Sequence, residues 1–146
     1  TGILRVVGRG TMNESLVADE MAMRTLNGAS ASEVIFDLSA CEYLDSTFLG
    51  CLVHLRKHFP DRFRVAAPQP VRKKLLGPLR LDLLIPSIDL APEIRGQWVS
   101  VAIPSNDKRE LLSHVMHSHE QLAQCGSPMQ AIFEKIAAQM AEELKG

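Results

Sequence analysis

The sequence has no excess of charge of either sign: 16 Lys and Arg stand against 17 Asp and Glu, a net charge of −1. That balance excludes the basic footprint of a nucleic-acid binder and the polybasic face of a protein held on acidic membranes. No apolar run approaches the roughly 20 residues that a membrane-crossing helix takes, and no secretory leader is legible. Cysteine is scarce. Any disulfide scheme for the three present, Cys41, Cys51 and Cys125, leaves one over, so free thiols in a reducing cytoplasm are the expectation. Aromatic residues make up only 5%, yet 46% of the chain is hydrophobic and 23% charged, which excludes a disordered, collagenous or coiled-coil chain. The 146 residues suffice for one domain, or one domain with an appendage, and for a core that needs no staples.

What is present alternates short apolar runs with amphipathic stretches. Residues 3–7 form a β-branched run stopped by Gly8-Arg9-Gly10, a strand and a turn. Thr11-Met12-Asn13-Glu14 has the form of a capping box, and Leu16, Val17, Met21 and Leu26 follow at helical spacing until Asn27-Gly28. Residues 33–38 (EVIFDL) are a compact apolar run, read as a strand buried on both faces. Leu44-Asp45-Ser46-Thr47 opens a second helix that Phe59-Pro60 stops, and residues 63–67 are a third strand. Pro68-Gln69-Pro70 starts a short helix, residues 83–88 suggest a short extended segment, and residues 97–103 (QWVSVAI) another.

The composition shifts after Pro104. Ser105-Asn106-Asp107 caps a helix bearing Leu111, Leu112, Val115, Met116 and Leu122, and Gly126 ends it. Ser127-Pro128 starts a last helix with Met129, Ile132, Phe133, Ile136, Met140 and Leu144 on one stripe. The reading is an α/β fold over residues 1–104, helices packed on a sheet, followed by a C-terminal αα-hairpin over 105–146. Two such stripes bury only part of each other. The hairpin is therefore expected to cover a third surface, with a homodimer or a partner slightly favoured over its own domain.

The stretch from Phe36 to Gly50, Phe-Asp-Leu-Ser-Ala-Cys-Glu-Tyr-Leu-Asp-Ser-Thr-Phe-Leu-Gly, resembles the signature of STAS domains, the fold of bacterial anti-sigma factor antagonists. The family pattern is a buried strand ending in Asp-Leu, a short loop, an apolar residue, then Asp-Ser-Ser/Thr and Gly-Leu-Gly entering a helix. The upstream strand and first helix fit as well, as do Pro70-Val71-Arg72-Lys73-Lys74-Leu75 and Leu79-Arg80-Leu81-Asp82, so the resemblance covers about residues 1–100. It implies a mixed sheet covered by helices, and that Ser46 is a phosphoacceptor for a kinase that is itself the anti-sigma factor. It also implies that the unphosphorylated chain binds this kinase in the cytoplasm and regulates transcription, and that a metal-dependent phosphatase resets it. No enzyme activity and no cofactor are implied.

Local chemistry is compatible with such a switch. Asp45 is placed as N-cap and Ser46 in the exposed first turn of a helix, where backbone N–H groups favour an anion. A phosphate adds about −1.5 to −2 charge there, next to Asp45 and Glu42. Thr47 is a second hydroxyl in the same turn. Phe48 departs from the family, which has Gly there, and is either a core residue or, with Glu42, part of the docking surface. The family's first strand has no counterpart, and its members end near residue 100. The competing readings are an ordinary helix cap at Asp45-Ser46 in a phosphorylation-independent STAS module of a larger regulatory or transport complex, and a sensor or enzyme using the histidines near the C-terminus. Glu110, His114 and His117 share a helix face, but His117 and His119 diverge by about 200°, and no HExxH or CxxC accompanies them, so a solvated face is preferred to a metal site. Cys41 and Cys51 read as buried small apolar residues, and Arg72-Lys73-Lys74 as a solvated basic face.

Overall fold

The computed structural model describes residues 1–28, 32–93, 96–101, 103, 107–124, 134, 138 and 141–144. Strand β1 (Gly2–Arg5) and β2 (Gly8–Gly10) are two stretches of one extended segment, followed by α1 (Met12–Asn27). The next unit repeats the plan with β3 (Val34–Asp37), β4 (Cys41–Leu44) and α2 (Ser46–His58). Then come β5 (Phe63–Ala66), α3 (Gln69–Leu76), two 3₁₀ turns at Gly77–Leu79 and Leu81–Leu83, β6 (Ser87–Ile88) and α4 (Lys108–Ala123).

The strands form a four-stranded sheet in the order β1-β3-β5-β6 and a two-stranded one of β2 with β4. Every pairing among the described residues is parallel, which corrects the expected mixed sheet. The cause lies in the connections. A parallel neighbour needs a crossover of a dozen or so residues, and α1, α2 and α3 each supply the body of one. β3 sits in the middle and is buried at all four positions, as its uninterrupted apolar run requires. Residues 97–103, an extended stretch by sequence, hold no ladder position where described. They run beside a groove of about 840 Å³ against β1 and α1, with the Arg5 guanidinium 3.9 Å from the Trp98 ring centre.

The core lies between the sheet and α1 and α2. Phe36 on β3 meets the edges of Phe48 on α2 and Phe63 on β5, with ring centres 6.2 and 5.4 Å apart. Gly10 lies tightly where β2 crosses this layer: a Cβ there would stand 2.6 Å from a Leu44 methyl and 3.0 Å from the Phe48 ring, so the Leu44 side chain would have to shift. Cys41 and Cys51 are buried free thiols, as read from the sequence; burial pushes both pKa values up. Cys125 lies outside the described residues.

Helix α4 begins at the expected cap, where the Asp107 carboxylate accepts from the Arg109 amide at 2.8 Å. It packs against α2 and α1 of its own chain, with Val115 and Leu122 buried and Leu111, Leu112 and Met116 half-buried. Val115, Ser118, His119, Leu122 and Ala123 are buried. The approach to α2 is close: a Cβ on Gly50 would lie 2.1 Å from the Ser118 carbonyl oxygen. Of the last helix, Met129, Ile132, Phe133, Ile136 and Met140 lie outside the described residues, while Leu144 is helical and half-buried.

Candidate functional site

The start of α2 is built from β2, β4 and the helix itself. The Asp45 amide donates to the Gly10 carbonyl at 2.9 Å, which ties the cap to β2. The Asp45 carboxylate accepts from the Phe48 amide at 2.9 Å, satisfying one of the otherwise unpaired N–H groups of the first turn. Leu44 and Leu49, buried on either side of the cap, form the expected staple.

Ser46 is the first residue of the helix. The sequence places it in an exposed turn; the structure shows it half-buried, because α4 crosses it. Its Oγ is hydrogen-bonded to His119 Nε2 at 2.8 Å. His119 is only 6% exposed, and burial pushes its pKa below the ordinary histidine range, with Asp45 opposing. Burial thus disfavours the protonated ring, and the tautomer decides whether Ser46 Oγ or His119 Nε2 donates in their hydrogen bond.

The other residues singled out by sequence divide. Thr47 is buried, which removes it as a second acceptor in this conformation. Of the two places the sequence leaves open for Phe48, core or docking surface, the structure shows the core: it has no exposed surface and packs among the aromatic rings, so it is not available for docking in this conformation. An apolar ring at this point of the helix faces the sheet because Asp45 fixes the helix phase. Glu42 is exposed on β4 and remains on the surface beside the cap, next to Tyr43, whose ring lies 4.5 Å from the Arg9 guanidinium.

The histidines of α4 do not share one ligand. His114 Nε2 bonds Ser15 Oγ of α1 at 2.8 Å, His117 pairs with Glu120 at 3.4 Å, and His119 goes to Ser46. A polar groove of about 620 Å³ beside His114 and His117 is lined by Asp19, Glu110, Arg109 and Leu144 among others. The sequence reading passed over His54 and His58. Both lie on α2, with rings 4.3 Å apart, and His54 Nε2 stands 4.0 Å from Asp19. The chain has five histidines, and all of them lie on α2 and α4. The available signal was the restriction of this residue type to two amphipathic helices.

No family model matches the chain, and no curated protein matches it either.

Proposed function

We propose that the chain is a STAS-type switch: an anti-sigma factor antagonist that binds a serine-kinase anti-sigma factor while Ser46 is unmodified. The observation that carries the reading is a serine hydroxyl at the first position of a capped helix, hydrogen-bonded to a buried histidine. Ser46 Oγ attacks the γ-phosphorus of ATP held by the kinase, ADP leaves, and the hydroxyl proton passes to a base of the kinase. The added charge, about −1.5 to −2, faces Asp45 and the exposed Glu42, and an interface shaped around a neutral hydroxyl is lost. A metal-dependent phosphatase would restore it.

The same hydrogen bond supports a second reading. Ser46 is half-buried and already partnered, as a purely structural serine would be, and the chain would then be a phosphorylation-independent interaction module. Mass spectrometry of the protein isolated from its own cells decides between them. The switch requires a phosphate that maps to Ser46 and disappears in Ser46→Ala, with binding to the kinase retained in that variant. If the chain carries no phosphate at any growth stage, or if Ser46→Ala carries as much as wild type, the switch reading is wrong.

A further inference from the structure

We infer that α4 is a built-in cover on Ser46, held by serine–histidine hydrogen bonds and released when the histidines between α2 and α4 take up protons. The inference rests on the reading of Ser46 as phosphoacceptor and adds how access to it is controlled.

The cover is visible in the geometry. His119 of α4 bonds Ser46 Oγ, and five residues earlier His114 bonds Ser15 Oγ. The two bonds fasten α4 to α2 and α1 respectively, and Gly50 lets the Ser118 backbone settle between them. A phosphoryl donor must approach Ser46 Oγ in line with the bond it forms. With α4 seated, the imidazole of His119 is in contact with that oxygen. Transfer therefore requires α4 to lift.

The chemistry of the seam supplies the trigger. His119 faces Ser46 and Asp45 of α2. His114 faces Ser15 and Asp19 of α1, His54 and Asp45 of α2, and His117 on its own helix. His54 faces Asp19 of α1, His117 of α4, and His58 and Lys57 beside it. Burial lowers the pKa of all three. Asp19 and Asp45 oppose it without reversing it, and the neighbouring histidines and Lys57 add to it for His114 and His54.

The sign follows from linkage. A lifted α4 exposes these rings to water, where they regain the ordinary value of 6.5. The open form then binds more protons than the closed one. Closure is strongest above that value and weakens as pH falls through it toward the depressed values of the closed form. Each proton taken up on opening raises the open population by up to about tenfold per pH unit.

Hydrogen exchange of the full chain, read by mass spectrometry at about pH 7.5 and about pH 5.5 and corrected for intrinsic rates, tests this. Protection of residues 108–123 should fall by about tenfold or more at the lower pH, while β3 stays protected. In His114→Gln/His119→Gln, where the side chains still hydrogen-bond but do not titrate, the pH dependence should become shallower, leaving the part that His54 contributes. Equal protection of α4 at both pH values overturns the proposal, as does loss of protection in α4 and β3 together. If the double variant does not fold, the wild-type comparison of α4 with β3 decides alone. The readout involves no phosphate. A proton-dependent α4 without phosphate on Ser46 removes the phosphoacceptor reading only, and a phosphorylated Ser46 under a pH-insensitive α4 removes the cover only.

Discussion

Asp45 makes two connections at once, its amide to the Gly10 carbonyl and its carboxylate to the Phe48 amide. Replacing the side chain leaves the first intact and breaks the second. Asp45→Ala should therefore cost about 0.5–2 kcal/mol, the usual value of an N-cap, whereas Asp45→Asn, which still accepts the amide, should cost little. Urea denaturation of the two variants measures the difference; equal losses would mean that charge rather than capping is what Asp45 contributes. At this scale the sequence was informative wherever partners are near neighbours. The Asp45 cap spans three residues, and so does the box at α1, where the Thr11 amide donates to Glu14 at 3.1 Å. The Ser46–His119 bond spans 73 residues and no local pattern announces it. Phe48 was ambiguous for a related reason: an apolar residue in the first turn of a helix is a core or a surface residue according to what lies behind the helix, which only the sheet decides.

Between elements, the contact of α2 with α4 is set by one missing side chain. A methyl group on Gly50 would meet the Ser118 oxygen, carbonyl carbon and Cα at 2.1, 2.5 and 2.8 Å, all backbone atoms that cannot turn aside. Alanine in a helix interior is worth roughly 0.5–1 kcal/mol over glycine. Overpacking costs typically about 1–3 kcal/mol, so the clash should win. Gly50→Ala is expected to lower stability by about 1–2 kcal/mol and to loosen α4 first, seen as faster hydrogen exchange in residues 108–123 than in β3. A stabilised variant with α4 unchanged would show that the helices have room to separate without loss. The helices themselves were legible from their periods and caps, and β3 from its unbroken apolar run. The parallel arrangement follows from helices separating most strands, yet the expectation of a mixed sheet came with the family resemblance rather than from those spacings. Residues 97–103 carry a strand's alternation, but a strand also needs an edge to pair with, and the sequence does not say whether the edge of β1 receives it.

Across the whole molecule, the question is whether α4 belongs to the fold. The break in composition near residue 105 reads as the start of an added unit, and that break is real in the sequence. Its apolar stripe carried no indication of what covers it, because a stripe of the same period serves a dimer, a partner or its own domain equally well. The packing within the chain shows one surface it covers: Leu122 and Ala123 join the cluster that holds Phe48 and Leu52, and Val115 is buried elsewhere on the helix. Burying a side chain such as Leu or Val is worth about 1.5–3 kcal/mol. Removing α4 withdraws Leu122 and Val115 from burial and also uncovers the α2 residues that cluster with Leu122. That loss is several kcal/mol, against a total stability of about 5–15 kcal/mol for a domain of ordinary size. A chain ended at residue 106 should therefore unfold at a markedly lower urea concentration than the full chain. It should also bind a hydrophobic dye at pH 7.5, and its Ser46 should become reachable by reagents that the intact protein excludes. An unchanged urea midpoint without dye binding would make α4 an appendage on a self-sufficient sheet domain. The cover on Ser46 would then have to be held by polar contacts such as its two histidine bonds and the Lys57–Gln124 hydrogen bond.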